Sequence, residues 1–479
     1  MVGMLAEEEA LSFSTQLHDI FPEFRRQDAQ ANITIEDLMS HRTGLAPMDN
    51  LWLSSYNEIL VDRSQAIPIM SYAPIAGPLR ASFHYNNIPY EVLGQVLEKV
   101  TGLSYLELLH QRIVEPLKLN RTFYAGEPMD DNTAKSYAAL ANGTFYELPP
   151  WGYRHDMFLG PAGAVRSSIS DLLVLYKAFM DAANSQVWTS SATNPLKLVP
   201  NLFEGKIGVG STSLREYSYA SGWIRAQLPN NVHLFADYPP PILLKGAESR
   251  LMIHHRGYVM GNVGTVALFP ETSTAIVVLG NSAGLADAMR LISQILVETI
   301  FENDFDEAAY IRAAREARHN FVKFVEDRNK ELMESKTAHS PIYPLSAYVG
   351  KYHNSIGSFF IEIKLNGDKL QVAFLGAEID TYDLQPYQTD SFFWMLDFDQ
   401  SAKRARLPWF PAEHFVLKFG CPQAPSVWPS DEEVIMQCLT WKHEPAVPGE
   451  GEVFRKSNRG HGTGGLEYGT GLQEQLQLK

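Results

Sequence analysis

Up to about residue 300, apolar positions recur at helical spacing in short blocks separated by long irregular stretches. Thr34 with Asp37 three residues on is a capping pattern, and it predicts a short helix through Leu38 that stops at Gly44. Pro89 at a first-turn position, with Tyr90, Leu93, Leu97 and Val100 on one face and Gly102 beyond them, predicts a longer helix. Ser104 with Glu107 starts another, carrying Leu108, Leu109 and Ile113. Ser168 with Asp171 repeats the signal ahead of Leu172, Leu173, Tyr176 and Phe179. From Leu251 the period shortens. The runs Leu251–His255, Val263–Phe269 and Thr274–Leu279, separated by Gly- or Pro-containing turns, predict an antiparallel meander. The amphipathic stretch from Ala283 to Ile300 is expected to pack back on that sheet.

Glu302 to Lys336 is dense in Ala, Arg, Glu and Lys and predicts a solvated connecting helix. Alternation then returns: Phe359, Ile361, Ile363 and Leu365 lead through Asn366-Gly367-Asp368 into Leu370, Val372 and Phe374, a hairpin signal. The pattern divides the chain into four parts. Residues 1–301 form an α/β (α+β) unit, an antiparallel sheet flanked by helices. A connector covers 302–340, a β-rich domain 341–455, and a Gly-rich tail expected to be disordered 456–479.

Composition narrows the functions open to such a chain. With 479 residues, 45% hydrophobic and 20% charged, it is expected to be a soluble globular protein of two or three units. A net charge of −15 argues against nucleic-acid and anionic-membrane partners, whose binding draws on Lys and Arg. No apolar run approaches the ~20 residues of a membrane span; the longest, Leu285 to Phe301, is broken by Asp287, Arg290 and Glu298. Cys421 and Cys438 are too few for a disulfide framework or a zinc site and leave two buried thiols or one bridge. No metal or cofactor is implied. N-x-S/T tripeptides stand at Asn32, Asn120 and Asn142, and no signal peptide is visible after Met1.

Several segments resemble, in order and spacing, the serine β-lactamase and penicillin-binding-protein-like family, its class C-like esterase/transesterase branch in particular. Ile33 to Leu45 is similar to I-T-I-x-D-L-L-x-H-x-S-G-L, and Phe83-His84-Tyr85-Asn86-Asn87 to F-x-Y-S-N. Glu115 to Leu119 resembles x-P-L-G-M, and Gly160 to Gly163 with Ser167, Ser168 and Asp171 resembles P-A-G-G-L-x-S-T-x-x-D. Gly222-Trp223 is similar to the end of G-x-G-W, His254 to Gly261 to G-H-x-G-G-x-x-G, and Pro270 to Asn281 to P-x-x-x-x-x-V-V-V-L-x-N. Residues 341–455 resemble, more loosely, the β-barrel appendage of some members.

The resemblance implies acyl transfer through a serine ester, with a small-molecule ester or amide as substrate. A serine hydroxyl is too weakly acidic to attack a carbonyl unaided, so the family pairs it with lysine in S-x-x-K. Tyr85 would be the phenol that shuttles the proton, and Asn87 would hydrogen-bond the lysine or the substrate. His255 would stand in H-x-G where other members have the cation of K-T-G, with His254 competing for that role. The Tyr258 backbone N–H, beside Gly257, would be an oxyanion donor. Trp223 would line the acyl pocket or fill the core, and His41 and Thr43 would fix a helix end and a turn. H-x-G leans toward esterase or transesterase chemistry, because a fixed cation for a substrate carboxylate is lost.

No Ser or Thr in the sequence has Lys three residues on. Gly3 to Ser12 resembles the G-x-L-V-E-E-G-K-L-S that ends the family's nucleophile helix, and Phe21-Pro22-Glu23-Phe24 the L-P-E-F that follows. S-x-x-K is therefore expected within about ten residues upstream of Met1, an N-terminal truncation relative to the family. Two rival readings stand beside the enzyme: a catalytically inactive or binding protein of the same fold, and a carbohydrate- or lipid-binding module around Phe392, Phe393 and Trp394.

Overall fold

The computed structural model describes residues 1–479 apart from 125–129, 152–156, 187–192, 211–212, 235–239, 338–340, 407–408, 422–434, 448 and 457–479. All but the first residue of the tail expected to be disordered lies outside the described residues. Helix α1 (Ile35–Met39) opens with a closed capping box: the Asp37 N–H donates to Thr34 Oγ1 and the Thr34 N–H to the Asp37 carboxylate. Helix α2 (Ile88–Thr101) carries Pro89 in its first turn and ends on Gly102 at φ +72°, whose N–H caps the Glu98 carbonyl. Helix α3 (Ile169–Ser185) starts where the Asp171 N–H donates to Ser168 Oγ.

The sheet is larger than the meander. Three strands that the hydrophobic pattern does not announce, β1 (Ile207–Gly208), β2 (Tyr217–Tyr219) and β3 (Ile224–Leu228), precede β4 (Arg250–Val259), β5 (Asn262–Phe269) and β6 (Thr274–Gly280). They form one antiparallel sheet in the order β6-β5-β4-β3-β2-β1. β1 and β2 are too short to show a period, and β2 is buried at all three residues. The strands sort their side chains by parity. Ile253, Val266 and Leu268 face α3, against Ala178, Met180 and Ala182. Met252, Ala267, Phe269 and Ile276 face helix α4 (Ala288–Ile300) through Val297.

The connector is helix α5 (Glu307–Glu334), and it is not solvated all round. Tyr310, Ala313, Ala317, Val325 and Leu332 are buried along one side, packing on α4 and the C-terminal domain. The segment's charge density hides this stripe, because small Ala residues supply much of it. Beyond, eight strands close into a barrel: β7 (Gly350–His353), β8 (Phe360–Asn366), β9 (Lys369–Phe374), β10 (Thr381–Pro386), β11 (Ser391–Phe393), β12 (Val416–Phe419), β13 (Cys438–Trp441) and β14 (Glu452–Lys456). β14 pairs back to β7, so no barrel edge is left open. Phe374, Trp394, Trp441 and Phe454 fill the core. Cys421 and Cys438 form a disulfide.

One hydrophobic cluster runs unbroken from Leu5, Leu38 and Val92 into the barrel at Tyr352, Phe374 and Trp441. A polar seam reinforces it along loop 49–57. The Asn50 amide donates to the His443 carbonyl at 2.6 Å, and Arg406 donates to the Leu53 carbonyl at 2.8 Å. The Ser55 hydroxyl donates at 2.9 Å to Asp380, which also accepts from Tyr382 and is 2% exposed. Removing this buried acceptor takes one partner from each of two hydroxyls and the counter-charge from Arg406, 3.8 Å away. Asp380→Ala should therefore lose about 3 kcal/mol of stability in urea unfolding, whereas the equally acidic but exposed Asp368→Ala should change it by under about 0.5 kcal/mol.

Candidate active site

The site begins with a carboxylate that takes no part in it. Asp37, fully buried, receives Arg42 Nε at 2.7 Å and Arg80 Nη2 at 2.7 Å. Burial alone would raise its pKa, but hydrogen bonds from Arg80, Thr34 and Arg42 hold it below the usual carboxylate range. The two arginines bring segment 78–84 against the turn after α1. The Arg80 N–H donates to the Arg42 carbonyl at 2.8 Å and the His84 N–H to the His41 carbonyl at 2.9 Å. Gly44, at φ +71°, completes the approach, since a Cβ there would lie 2.1 Å from the Gly77 carbonyl oxygen.

This clamp lays Tyr85 beside His41. The His41 residue sits at φ +53°, and its Nδ1 accepts the Asn86 N–H at 3.2 Å. Its ring packs 4.2 Å from Tyr85, 4.8 Å from Tyr219 and 5.2 Å from Tyr90, centroid to centroid. His255, on β4, is hydrogen-bonded through Nε2 to the Tyr219 hydroxyl at 3.0 Å, and its ring lies 6.4 Å from Tyr85. Tyr85 and His255 thus meet across one cleft between the helical region and the sheet. His254 points to the opposite face, where it stacks on Tyr217. Parity along β4 puts His255, and not His254, on the face that carries Tyr85.

The electrostatics are those of a neutral cluster. Burial pushes His255 down to about 4, and burial with the neighbouring His255 takes His41 well below its usual range. Burial, and then the charge of Asp49, push the Tyr85 phenol up to about 12. At neutral pH the cleft holds phenols and neutral imidazoles. The Asn87 amide donates to Asp49 at 3.3 and 3.4 Å. Burial and the nearby Glu444 raise Asp49 to about 7. Burial also raises Glu444, which the barrel contributes next to His443.

β3 pairs with β4 only as far as His254. From His255 to Val259 that edge of β4 has no strand partner among the described residues, and Gly257 is exposed there with open space where a Cβ would be. The Tyr258 side chain turns to the other face and packs on Trp409, 5.8 Å away. Trp223 is in the core, 5.4 Å from Phe179 and 5.5 Å from Phe203, and not on the cleft wall. Among the described residues no group of three or more His, Cys, Asp or Glu is placed to hold a metal ion, and no helix is long and apolar enough to cross a membrane. Sequence reasoning missed Tyr219, Asp49 and Glu444, and gave His41 only a structural part. Tyr219 sits in a three-residue strand without a period, and Glu444 reaches the site from a separate domain.

A family model described as Beta-lactamase matches residues 1–298. A second, described as Domain of unknown function (DUF3471), matches residues 334–409. Unguisins hydrolase of Aspergillus violaceofuscus is 27% identical over 271 residues, which cover 53% of this chain and 43% of that protein. Teichoic acid D-alanine hydrolase of Staphylococcus aureus is 31% identical over 150 residues, 31% of this chain and 36% of that protein. The chain therefore spans less than half the length of either relative. Among solved structures, the octameric penicillin-binding protein homologue from Pyrococcus abyssi aligns with a TM-score of 0.48 at 19% identity, covering 83% of this chain and 79% of that one.

Asp49 yields a pH prediction. Its carboxyl ionises near 4 when the chain is unfolded and at about 7 when folded. Between those values the folded state binds more protons, so ionising Asp49 erodes stability as pH rises, by at most about 1.4 kcal/mol per pH unit. Asp49→Asn should flatten the stability profile over that window and leave the protein more stable than its parent at pH 8. Urea unfolding at pH 5 and pH 8 reads the difference; a parallel offset at both would remove Asp49 as the titrating group.

Proposed function

The chain belongs to the beta-lactamase family, and we propose that its cleft performs acyl transfer through a serine ester on a small-molecule ester or amide. The supporting observation is the meeting of Tyr85 and His255 across one cleft, with Asn87 beside them and the unpaired β4 edge at Gly257. Hydrolase relatives of the family support acyl transfer in general. The relatives' names speak of unguisins and of teichoic acid D-alanine, and either kind of acyl donor suits this reading.

The roles follow from the chemistry. A serine hydroxyl, giving its proton to the lysine of S-x-x-K, adds to the acyl carbonyl, and Tyr85, protonated at neutral pH, passes its phenol proton to the leaving group and regains one from that lysine. The Tyr258 N–H stabilises the oxyanion, a contact worth roughly 3–4 kcal/mol in acyl-transfer sites. The leaving group then departs with the proton, and water or an alcohol resolves the ester. His255, neutral and fixed by Tyr219, orients the carbonyl side of the substrate by hydrogen bonding. This favours uncharged esters and amides over substrates that need a cation for a carboxylate. The nucleophile and its lysine are not in this sequence, so these residues act on a serine only where an S-x-x-K helix is joined to them. Without it the rival reading, a binding protein of the same fold, applies.

The test compares the 479-residue chain with the same chain extended at Met1 by a helical segment bearing S-x-x-K, each treated with a serine-directed acylating probe. Mass spectrometry should show no serine adduct on the first and one equivalent on the new serine of the second. Tyr85→Phe in the extended chain should slow acylation by about 10²-fold or more. Stoichiometric acylation of the unextended chain would reveal a different nucleophile, and a folded extended chain that is never acylated would favour the binding protein.

A further inference from the structure

The N-x-T tripeptides at Asn32, Asn120 and Asn142 are treated differently by the fold. At the first, the Asn32 amide donates to the Ala29 carbonyl at 3.4 Å, and the Thr34 hydroxyl is engaged with Asp37 as the cap of α1. At the second, the Thr122 hydroxyl lies 2.7 Å from Ser167 Oγ and donates to Asp171 at 2.8 Å. The Arg121 N–H between them donates to the same carboxylate at 2.7 Å. Both tripeptides are tied into the body of the protein through their threonine.

Asn142 stands at the tip of a hairpin made by Ser136–Ala139 and Phe145–Leu148, with Ala139 opposite Phe145. The inner side of the turn is anchored. The Ala141 N–H donates to Asp399 at 2.8 Å, and the Ala141 carbonyl accepts from Arg318 on α5 at 3.1 Å. The outer side is open, and residues 142–147 are all exposed. Asn142 Oδ1 accepts the Thr144 N–H at 2.9 Å and the Thr144 hydroxyl at 2.7 Å, an Asx turn. A backbone N–H can only donate, so it is the oxygen that faces Thr144 and Nδ2 that turns away. Among the described residues Asn142 Nδ2 donates to nothing. Phe145, three residues on, is 74% exposed.

The disulfide adds an independent observation. The chain holds two cysteines, and Cys421 and Cys438 are bonded to each other. Such bridges persist in oxidising compartments, the lumen of the secretory route among them, and are rare in the cytosol. That lumen is also where asparagine of N-x-S/T receives sugar, on surface loops of secreted proteins.

We propose that Asn142 is a site of N-glycosylation. The co-reactant is an oligosaccharide carried on a lipid diphosphate. A bond forms from Asn142 Nδ2 to C1 of the first sugar, and the bond from C1 to the carrier oxygen breaks. The diphosphate leaves with that electron pair, and Nδ2 gives up one proton. The transfer takes no hydrogen bond from the folded turn, because Nδ2 has none to lose and Oδ1 keeps both of its own. The sugar also gives cover to Phe145. The site stands independently of the acyl-transfer cleft.

The test uses the protein recovered from its own cells and the full 479-residue chain secreted by a eukaryotic host behind a cleavable leader. Peptide-N-glycosidase in heavy-oxygen water converts each glycosylated asparagine to a labelled aspartate, which peptide mass spectrometry locates. Asn142 should be labelled in both samples. In the secreted chain, Asn142→Gln and Thr144→Ala should each lose the mass of one glycan, whereas Thr144→Ser should keep it. Urea unfolding of the three variants at the parent's midpoint, measured after glycan release, excludes misfolding as the cause. Alkylation before reduction should find Cys421 and Cys438 protected in the native protein. An unlabelled Asn142 in either sample overturns the proposal, as does labelling confined to Asn32 or Asn120. Free thiols at both cysteines in the native protein, or an Asn142 glycan that survives Thr144→Ala, overturn it as well.

Discussion

The cleft depends on a single buried carboxylate. Asp37 caps α1, and in the same position it collects two guanidinium groups from the segments that must lie together for Tyr85 to stand beside His41. A buried ion pair of this kind adds little net stability, because desolvation offsets most of the attraction. Its value is geometric. Break it, and Arg80 loses its carboxylate while Arg42 keeps only Glu36, so the two segments lose the one group that ties them to each other. Everything in the cleft is hung on that arrangement: the left-handed His41, the Asn86 N–H on its ring, and the stack of phenols around it.

A second constraint is the parity of β4. Successive side chains go to opposite faces of a strand, so His255 and His254 are sent to different environments by one step along the chain. The front face meets Tyr85 and Tyr219; the back face meets α4 and the Arg–Asp cluster. Neither histidine is charged at neutral pH, for the same reason, loss of water.

Helix starts were plain in the sequence because capping is local. Thr34 with Asp37 and Ser104 with Glu107 form the boxes their spacing announces, and Ser168 caps the Asp171 N–H. The strand runs after Leu251 were plain because each is long enough to alternate. β1 and β2 were not, since two or three residues carry no period, and with β2 went Tyr219; β3 does alternate, but over only five residues. The barrel hairpin at Asn366 could be read from its turn, whereas closure by β7 with β14 is a pairing across about a hundred residues that no local pattern encodes. The same holds for Asp49 and Glu444. Each is an ordinary acid in the sequence, and only the docking of the barrel on loop 49–57 brings Glu444 near Asp49.

The unbroken hydrophobic cluster bears on how such a protein is assembled. Domains joined by a tether keep separate cores, and either can be exchanged, deleted or expressed alone. Here Tyr352, Phe374 and Trp441 lie in the same apolar continuum as Leu38 and Val92, so the barrel is part of the scaffold and not a passenger on it. Heating should melt both parts in one transition. A gene fusion that grafted this barrel onto another body, or cut it from this one, would expose a raw apolar face on each half.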